Sequence, residues 1–204
     1  MFAEGKSESD AKDIDRAVTV LAGGGIVAFP TETCYGLAVD PFNGRALERL
    51  FEVKHRPVDK PVLLLIHEVA LLDSLVTVVP AVYSPLIARY WPGPLTLIFP
   101  ARAGLPSLLT GGTGTIGVRI SPHPIAQALG RAFGRAITAT SANLSEQPPA
   151  RTAAEVRACL GGAIDLIVDG GRTPTSRCST IIGERGGGLR LLRRGAVDID
   201  PAAG

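Results

Sequence analysis

Short apolar runs alternate with helical patterns along this chain, and this alternation constrains the fold more than any other feature. The run Val62–Ile66 contains no polar residue, which is typical of a strand covered on both faces. Interleaved strands and helices predict an α/β domain with a large, twisted, mixed sheet flanked by helices. Further strands are predicted at 26–29, 95–99, 115–120, 136–140, 165–168, 179–182 and 189–192.

Helices are predicted where apolar residues recur at helical spacing between start and stop signals. Asn43 is a suitable N-cap for a helix whose apolar face carries Leu47 and Leu50. Thr152 and Glu155 have the spacing of a capping box, which predicts a helix from there to about residue 160. The remaining helices are predicted at 14–22, 68–76, 80–91 and 123–133.

The length and the apolar content of the chain favour a single domain. The chain has 204 residues, of which 46% are hydrophobic, and this is enough for one sizeable core. The domain is predicted to span 10–197, with mobile ends at 1–9 and 198–204. Between these ends we expect no second domain.

The charge balance and the cysteines exclude several classes of protein. The net charge is +2, from 21 Lys and Arg against 19 Asp and Glu, so the composition requires neither a nucleic-acid nor a membrane partner. Cys34, Cys159 and Cys178 are odd in number and fit no zinc or redox motif. The N-terminal segment has no signal-peptide pattern, and no apolar run is as long as a membrane span. We therefore expect a reducing, cytoplasmic setting.

Polar residues cluster where the predicted strands end. The segment PTET at 30–33 follows the first strand, and TSAN at 140–143 ends another. Ligands of open α/β sheets bind outside strand ends, and hydroxyls, an amide and cations suit a polyphosphate and a small zwitterion. Taken singly, each segment could instead be an ordinary turn, or a cation at a helix end with no packing role. The cations near these ends are Lys54, Arg56, Lys60 and Arg193. The glycine-rich segment at 111–114 lacks the lysine of a P-loop and is interpreted as a turn.

Several ordered segments carry a resemblance that covers nearly the whole chain, from residue 14 to residue 195. These segments are GGIVAFPTETCYGL, FEVKHRPVDKPV with its KxR pattern, YWPGPLTLIF, TIGVRISPHP, TSANLS with its SxN pattern, DLIVDGG, STII and LLRRG. In all of them the chain is similar to the YrdC family, the L-threonylcarbamoyl-AMP synthases.

The resemblance implies an enzyme and a fold. Members of the family join L-threonine, bicarbonate or carbon dioxide, and ATP into threonylcarbamoyl-AMP and pyrophosphate. A downstream threonylcarbamoyl-transferase complex then modifies a tRNA adenosine, and direct binding of tRNA to the synthase is left open. The implied fold is a twisted sheet with helices around a deep basic cavity, here in the short, single-domain form.

The resemblance also assigns roles to individual residues. Tyr35 packs under the PTET segment, either as a ligand contact or as a core residue. No histidine is placed as a general base, and no catalytic residue is named. Mg²⁺ is expected on the phosphates of ATP. The expected threonine-binding residues are Thr31, Arg119 and Ser179. The expected ATP-binding residues are Lys54, Arg56, Lys60, Thr115, Ser141, Asn143 and Arg193.

Some interpretations of the residues remain open from sequence alone. Arg119 shares a predicted strand face with Thr115 and Gly117, which suggests a ligand wall, but it could instead neutralise Asp40 or Asp169. Some family members carry a histidine in the strand after the KxR segment, where this chain has an apolar run. A serine often follows SANxSxxP in the family, whereas the residues here are Pro148-Pro149-Ala150.

Two other functions compete with the synthase. A non-catalytic module could hold double-stranded RNA or tRNA by its backbone, although the net charge is small and aromatic residues are few. A carbamoyltransferase acting on carbamoyl phosphate is the second alternative, because related domains occur inside larger carbamoylating enzymes. The stand-alone domain favours the synthase over this alternative.

Overall fold

The structure, a computed structural model, describes the backbone of residues 4–175 and 177–200 and the side chains of residues 11–175 and 177–200. Among the helices in this part of the chain, none has the length and apolar character needed to cross a bilayer. The described α-helices are α1 (Glu4–Ala22), α2 (Gly44–Lys54), α3 (Ser84–Tyr90), α4 (Ser107–Thr110), α5 (Pro124–Phe133) and α6 (Ala153–Leu160). Short 3₁₀ helices lie at Val69–Ser74, Ala81–Tyr83 and Gly161–Ala163.

The described strands are β1 (Val27–Pro30), β2 (Tyr35–Ala38), β3 (Leu64–Leu65), β4 (Leu95–Pro100), β5 (Thr115–Arg119), β6 (Ile137–Thr138), β7 (Thr140–Ser141), β8 (Leu166–Ile167), β9 (Thr180–Arg185) and β10 (Gly188–Arg193). One sheet has the order β7-β2-β1-β8, and the other has the order β10-β9-β4-β5-β3-β6. Both sheets are mixed, since β1 is antiparallel to β2 and parallel to β8, and β4 is antiparallel to β5 and parallel to β9. The predicted α/β class is confirmed, with the strands divided between two sheets.

The two sheets meet where the chain passes from β6 to β7 through Ala139. The hydroxyl of Thr138 accepts a hydrogen bond from the amide of Val39 at 2.9 Å and donates one to the carbonyl of Leu37 at 3.1 Å. A residue of the six-stranded sheet is thereby bonded to β2 of the four-stranded sheet. The strand predicted over 136–140 is therefore divided, because its two halves pair in different sheets.

Strand β1 is covered on both faces. Val27 and Phe29 pack with Ala17 and Leu21 of α1 in one apolar cluster. Ala28, which points the opposite way, belongs to the larger cluster on the other face. This double coverage holds the end of β1, where the PTET segment begins, in a fixed position.

Two predicted elements are shorter or more broken than the sequence indicates. The run at 62–66 has ladder pairing only at β3 among the described residues, although the amides of Val62 and Ile66 donate to the carbonyls of Leu109 and Arg119. The helix predicted at 80–91 is a 3₁₀ turn followed by α3, because Pro85 in the first turn of α3 has no amide hydrogen and cannot continue an earlier helix.

Other boundaries also differ from the prediction. The helix predicted at 14–22 begins at Glu4, and the helix predicted at 68–76 is a 3₁₀ helix. Residues 1–3 and 201–204, which belong to the predicted mobile ends, lie outside the described residues. The mobility of both ends and the domain limits at 10–197 stay predictions.

The predicted helix caps are confirmed in part. The side chain of Asn43 accepts a hydrogen bond from the amide of Ala46 at 3.2 Å and begins α2. The hydroxyl of Thr152 accepts from the amide of Glu155 at 3.1 Å, as a capping box requires. The reciprocal bond goes elsewhere, because the carboxylate of Glu155 accepts from the amide of Arg151 at 2.6 Å.

Asn43→Ala should lower the free energy of unfolding by about 1 kcal/mol, because an amide in the first turn of α2 loses its acceptor. Asn43→Asp keeps the acceptor and should stay close to the parent protein. Glu48→Ala, at an exposed position of the same helix, is the matched control. Urea unfolding followed by circular dichroism measures all three, and equal stability of the alanine variant and the parent would contradict the cap.

Candidate active site

A cavity of about 180 Å³ lies between the two sheets, beside Ala139. Residues of the turn before β2 and of β7 face residues at the ends of β5, β9 and β10 across it. Its walls also contain residues that the sequence analysis did not assign, namely Thr33, Cys34 and Cys178. The predicted site residues that the structure brings together here are Arg56, Arg119, Ser141, Ser179 and Arg193.

A second, larger groove of about 720 Å³ lies between α1 and α5. Its lining is mostly apolar, with Asp15 and Arg131 as charged members. The cavity between the sheets is the better candidate, because hydroxyl, thiol and guanidinium groups converge there. Its volume is below the roughly 300–1,000 Å³ of typical small-molecule pockets, so it suits a group the size of an amino acid.

The PTET segment is a turn organised by the hydroxyl of Thr31. This oxygen accepts from the amides of Thr33 at 3.2 Å and Cys34 at 3.3 Å, and it donates to the carbonyl of Cys34 at 2.7 Å. The turn interpretation of PTET is therefore correct for Thr31, whose hydroxyl is engaged within the segment. Thr33 and Cys34 are the residues that this turn presents to the cavity.

Arg119 forms a buried ion pair with Glu32 of the same PTET segment. The side chains of Arg119 and Glu32 are 4% and 14% exposed, and the hydroxyl of Ser121 donates to the second carboxylate oxygen of Glu32. Among the described residues, the Nε of Arg119 has no hydrogen-bond partner. Burying such a donor without a partner costs free energy, so a ligand acceptor at this point would be favourable.

Arg119 pairs with Glu32 and with neither of the two partners considered from the sequence, Asp40 and Asp169. Asp40 pairs with Arg135 at 3.0 Å, and Asp169 accepts a hydrogen bond from the hydroxyl of Tyr35. Tyr35 is fully buried, and burial raises the pKa of its hydroxyl to about 12. The interpretation of Tyr35 as a core residue is the one that the structure supports.

Arg193 and Ser179 form a second polar unit on the cavity wall. Nη2 of Arg193 donates to the carbonyl of Ser179 at 2.8 Å and to its hydroxyl at 3.2 Å. The same hydroxyl is 2.8 Å from the hydroxyl of Thr96, which is fully buried. The guanidinium is thus held between the end of β10 and the start of β9 while its residue remains exposed.

Arg56 holds the turn that follows α2. Its Nη2 donates to the carbonyl of Pro61 at 2.6 Å, and its Nε donates to the carbonyl of Lys60 at 3.2 Å. Burial lowers the pKa of the Arg56 guanidinium. The side chain of Lys60 is exposed, and its backbone closes this turn: its carbonyl accepts from Arg56, and its amide donates to the carbonyl of Pro57 at 3.1 Å.

Lys54 is buried, contrary to the interpretation of a cation at a helix end with no packing role. Its side chain is 2% exposed, and its ammonium donates to the carbonyls of Ser141 at 2.5 Å and Asn143 at 2.6 Å. Burial and, to a smaller extent, the nearby charge of Arg56 lower the pKa of Lys54 to about 8. Lys54 therefore holds the backbone of the SxN segment in place through two of its carbonyls.

Four predicted ATP-binding residues lie outside the lining of this cavity, namely Asn143 and Thr115 in addition to Lys54 and Lys60. Asn143 donates from its Nδ2 to the carbonyls of Leu144 at 2.9 Å and Gln147 at 2.5 Å, and it lines a neighbouring depression. Thr115 lines a different depression beside β10, at the opposite end of β5 from Arg119. Residues 115 and 119 share one face of the strand, but four residues of strand separate them by about 13 Å.

Cys34 and Cys178 both line the cavity, and both are free thiols. The Cys34 thiol lowers the pKa of Cys178 to about 6, with help from Arg193 and Arg119 and against the effect of burial. The Cys178 thiol and burial raise the pKa of Cys34. Cys178 is the member that ionises, because it is the less buried and lies near two guanidinium groups. The sequence contained one signal that Cys178 lies in the site, because it directly precedes Ser179, a predicted threonine-binding residue.

Comparison with known proteins assigns the fold and the family. A family model for Sua5, YciO and YrdC proteins, described as "Telomere recombination", matches residues 19–195. The chain belongs to this family. Among its curated relatives, a threonylcarbamoyl-AMP synthase of Idiomarina loihiensis is 44% identical over 153 residues, which cover 71% of this chain and 79% of the relative.

Two solved structures in the Sua5, YciO and YrdC family show the same architecture. P. abyssi Sua5 complexed with L-threonine superposes with a TM-score of 0.87 and 39% identity, covering 91% of this chain. The match covers 54% of the Sua5 chain, so the present chain corresponds to about half of that protein. E. coli YciO has a TM-score of 0.83 and 27% identity, with 92% of this chain and 91% of YciO covered.

Lys54→Met should lower the free energy of unfolding by about 2–3 kcal/mol, because the carbonyls of Ser141 and Asn143 lose a charged donor. Lys60→Met is the matched control in the same segment, and its exposed side chain predicts a change within about 0.5 kcal/mol. Urea denaturation of both variants measures the difference. If the two substitutions cost the same, the supporting role of Lys54 is wrong.

Proposed function

We propose that this chain is an L-threonylcarbamoyl-AMP synthase, which joins L-threonine, bicarbonate and ATP and releases pyrophosphate. Membership of the Sua5, YciO and YrdC family and the curated relatives that carry the synthase name support the reaction. The threonine bound by P. abyssi Sua5 supports the amino-acid substrate. The observation on which the site assignment rests is Arg119, a buried arginine in the cavity wall whose Nε has no partner among the described residues.

Arg119 is the proposed clamp for the threonine carboxylate. Glu32 fixes one side of its guanidinium, and the remaining donors suit a second carboxylate in planar, forked geometry. Ser179 on the cavity wall and Thr31 complete the proposed threonine site, with Thr31 acting through the turn that presents Thr33 to the wall. A cavity of this size accepts the amino acid and leaves the nucleotide to extend toward the exposed Arg193.

The nucleotide is proposed to bind along the cationic side of the cavity. A carbamate oxygen of N-carboxylated threonine attacks the α-phosphorus of ATP, the bond from that phosphorus to the bridging oxygen breaks, and pyrophosphate leaves. Arg56 and Arg193 stabilise negative charge on the phosphates, and the hydroxyl of Ser141 donates to an oxygen of the nucleotide. Lys54 acts by holding the 141–143 segment in place. Lys60, Thr115 and Asn143 remain proposed ATP contacts that need the nucleotide to reach beyond the cavity.

Mg²⁺ belongs to the nucleotide substrate in this proposal. Mg²⁺ gives up its water ligands reluctantly and is commonly held by substrate phosphates together with few protein ligands. The described residues contain no group of three or more His, Cys, Asp or Glu side chains that could hold a metal ion. The donors of the cavity wall are instead guanidinium and hydroxyl groups, which suit the anionic phosphates themselves.

The product of this reaction is a mixed anhydride that reacts readily with water. We propose a cytoplasmic setting in which a threonylcarbamoyl-transferase complex consumes it and modifies a tRNA adenosine. Direct contact of the synthase with tRNA is a separate proposal, and it predicts an affinity that falls steeply with salt. An RNA-binding module without catalysis would show this salt dependence with no threonine-dependent use of ATP.

Pyrophosphate should form from ATP only when threonine and bicarbonate are both present. The reason is that the carbamate of threonine is the nucleophile, so neither component alone supplies it. The measurement is an enzyme-coupled pyrophosphate assay with Mg²⁺, combined with mass spectrometry of the threonylcarbamoyl adenylate. Serine in place of threonine is the substrate control, and equal turnover without any amino acid would refute the synthase assignment.

Arg119→Lys should raise the Kd for threonine at least about tenfold, because lysine keeps the charge but not the forked donors. The Kd for ATP should change much less. Arg135→Lys is the matched control, since Arg135 is also paired with a carboxylate but lies outside the cavity wall. Calorimetric titration and thermal unfolding of the same samples separate the roles. A lower melting temperature with normal threonine affinity would leave Arg119 as a purely structural partner of Glu32.

A further inference from the structure

The cavity between the sheets contains a pair of thiols that the proposed reaction does not use. Cys34 lies in the turn before β2 of the four-stranded sheet, and Cys178 lies directly before β9 of the six-stranded sheet. They are 144 positions apart in the chain, yet both line the same cavity of about 180 Å³. Carbamate formation and adenylyl transfer require no sulfur nucleophile, so the pair needs another explanation.

The two cysteines differ in exposure and surroundings. Cys34 is 7% exposed, whereas Cys178 is partly exposed and lies in the field of Arg119 and Arg193. Nearby cations favour the thiolate, which is the reactive form of cysteine, and a partly exposed thiolate with a second thiol close by is the usual arrangement of an oxidant-sensitive cysteine. Cys159 lies in other depressions of the surface, and desolvation raises the pKa of its thiol against the opposing effect of a nearby lysine.

We propose that Cys178 and Cys34 form a site of oxidative modification by hydroperoxides. The peroxide oxidises Cys178 first, and Cys34 then reacts with the oxidised Cys178 to form a disulfide. The Cys178 thiolate attacks one oxygen of hydrogen peroxide, the O–O bond breaks, and the departing hydroxide takes a proton to become water. Cys178 is then a sulfenic acid. The Cys34 sulfur attacks the Cys178 sulfur, the S–O bond breaks, and a second water leaves. Two thiols lose two electrons and one peroxide gains them.

The backbone at each of the two cysteines is already fixed by hydrogen bonds. The carbonyl of Cys34 accepts hydrogen bonds from the amide and the hydroxyl of Thr31, and the carbonyl of Cys178 accepts one from the amide of Ala196 at 2.8 Å. The disulfide would therefore form between two anchored loops and would connect the two sheets across the cavity wall. It would replace two thiols on the same wall as Arg119 by a covalent bridge, so we expect the oxidised protein to bind threonine more weakly.

Peroxide treatment of the purified full-length protein tests the modification directly. We expect its three free thiols to fall to one, with a Cys34–Cys178 linked peptide in a non-reducing digest. In Cys34→Ser, dimedone should label Cys178, because the sulfenic acid has no partner to resolve it. In Cys178→Ser, Cys34 should remain reduced at the same peroxide dose. Faster oxidation of Cys159, or the absence of the linked peptide from the parent protein, would overturn the proposal.

The effect on ligand binding is measured in a second, separate experiment. Threonine titrations of the Cys159→Ser variant before oxidation, after oxidation and after dithiothreitol should show at least a tenfold loss of affinity that the reductant reverses. This arm rests on the proposed function, whereas thiol mapping does not. Unchanged affinity in the fully linked protein would overturn the inhibitory effect. Failure of the reduced protein to bind threonine would count against the synthase and leave the mapped disulfide standing.

Discussion

The buried pair of Glu32 and Arg119 is the interaction on which the rest of the site depends. Glu32 follows β1 of one sheet, and Arg119 ends β5 of the other, so a single ion pair spans the boundary between the sheets. Removing one partner would leave an uncompensated buried charge, at a cost of about 3–5 kcal/mol. The ion pair that connects the two sheets also fixes the guanidinium that faces the cavity. The stability of the fold and the geometry of ligand binding therefore depend on the same contact.

Much of the local structure follows from the sequence, because strands, caps and turns depend on neighbouring residues. The apolar runs locate most strands, and Asn43 and Thr152 locate two helix starts. The division into two sheets could not be predicted, since 136–140 has the pattern of one strand. Its interruption at Ala139 depends on pairing with β3 and β2, which lie far away in the chain.

The candidate site was predictable in part, for a related physical reason. The sequence indicates the KxR and SxN patterns and Arg119 as site candidates, because they lie where predicted strands and helices end. The resemblance to the family then assigned their roles. Burial of Lys54 depends on where the carbonyls of residues 141 and 143 lie, and no local pattern encodes that. The meeting of Cys34 and Cys178 in one cavity is likewise a product of the tertiary fold, which joins segments at opposite ends of the sequence.

The passage through Ala139 has a consequence for how the molecule opens. Two amides donate hydrogen bonds across the boundary between the sheets: that of Val39 to the hydroxyl of Thr138, and that of Thr138 to the carbonyl of Val39. Their protons therefore exchange with solvent only when the two sheets separate. Neither sheet can open independently of the other at this point. Hydrogen exchange at these two amides therefore reports the opening of the whole domain as one cooperative unit.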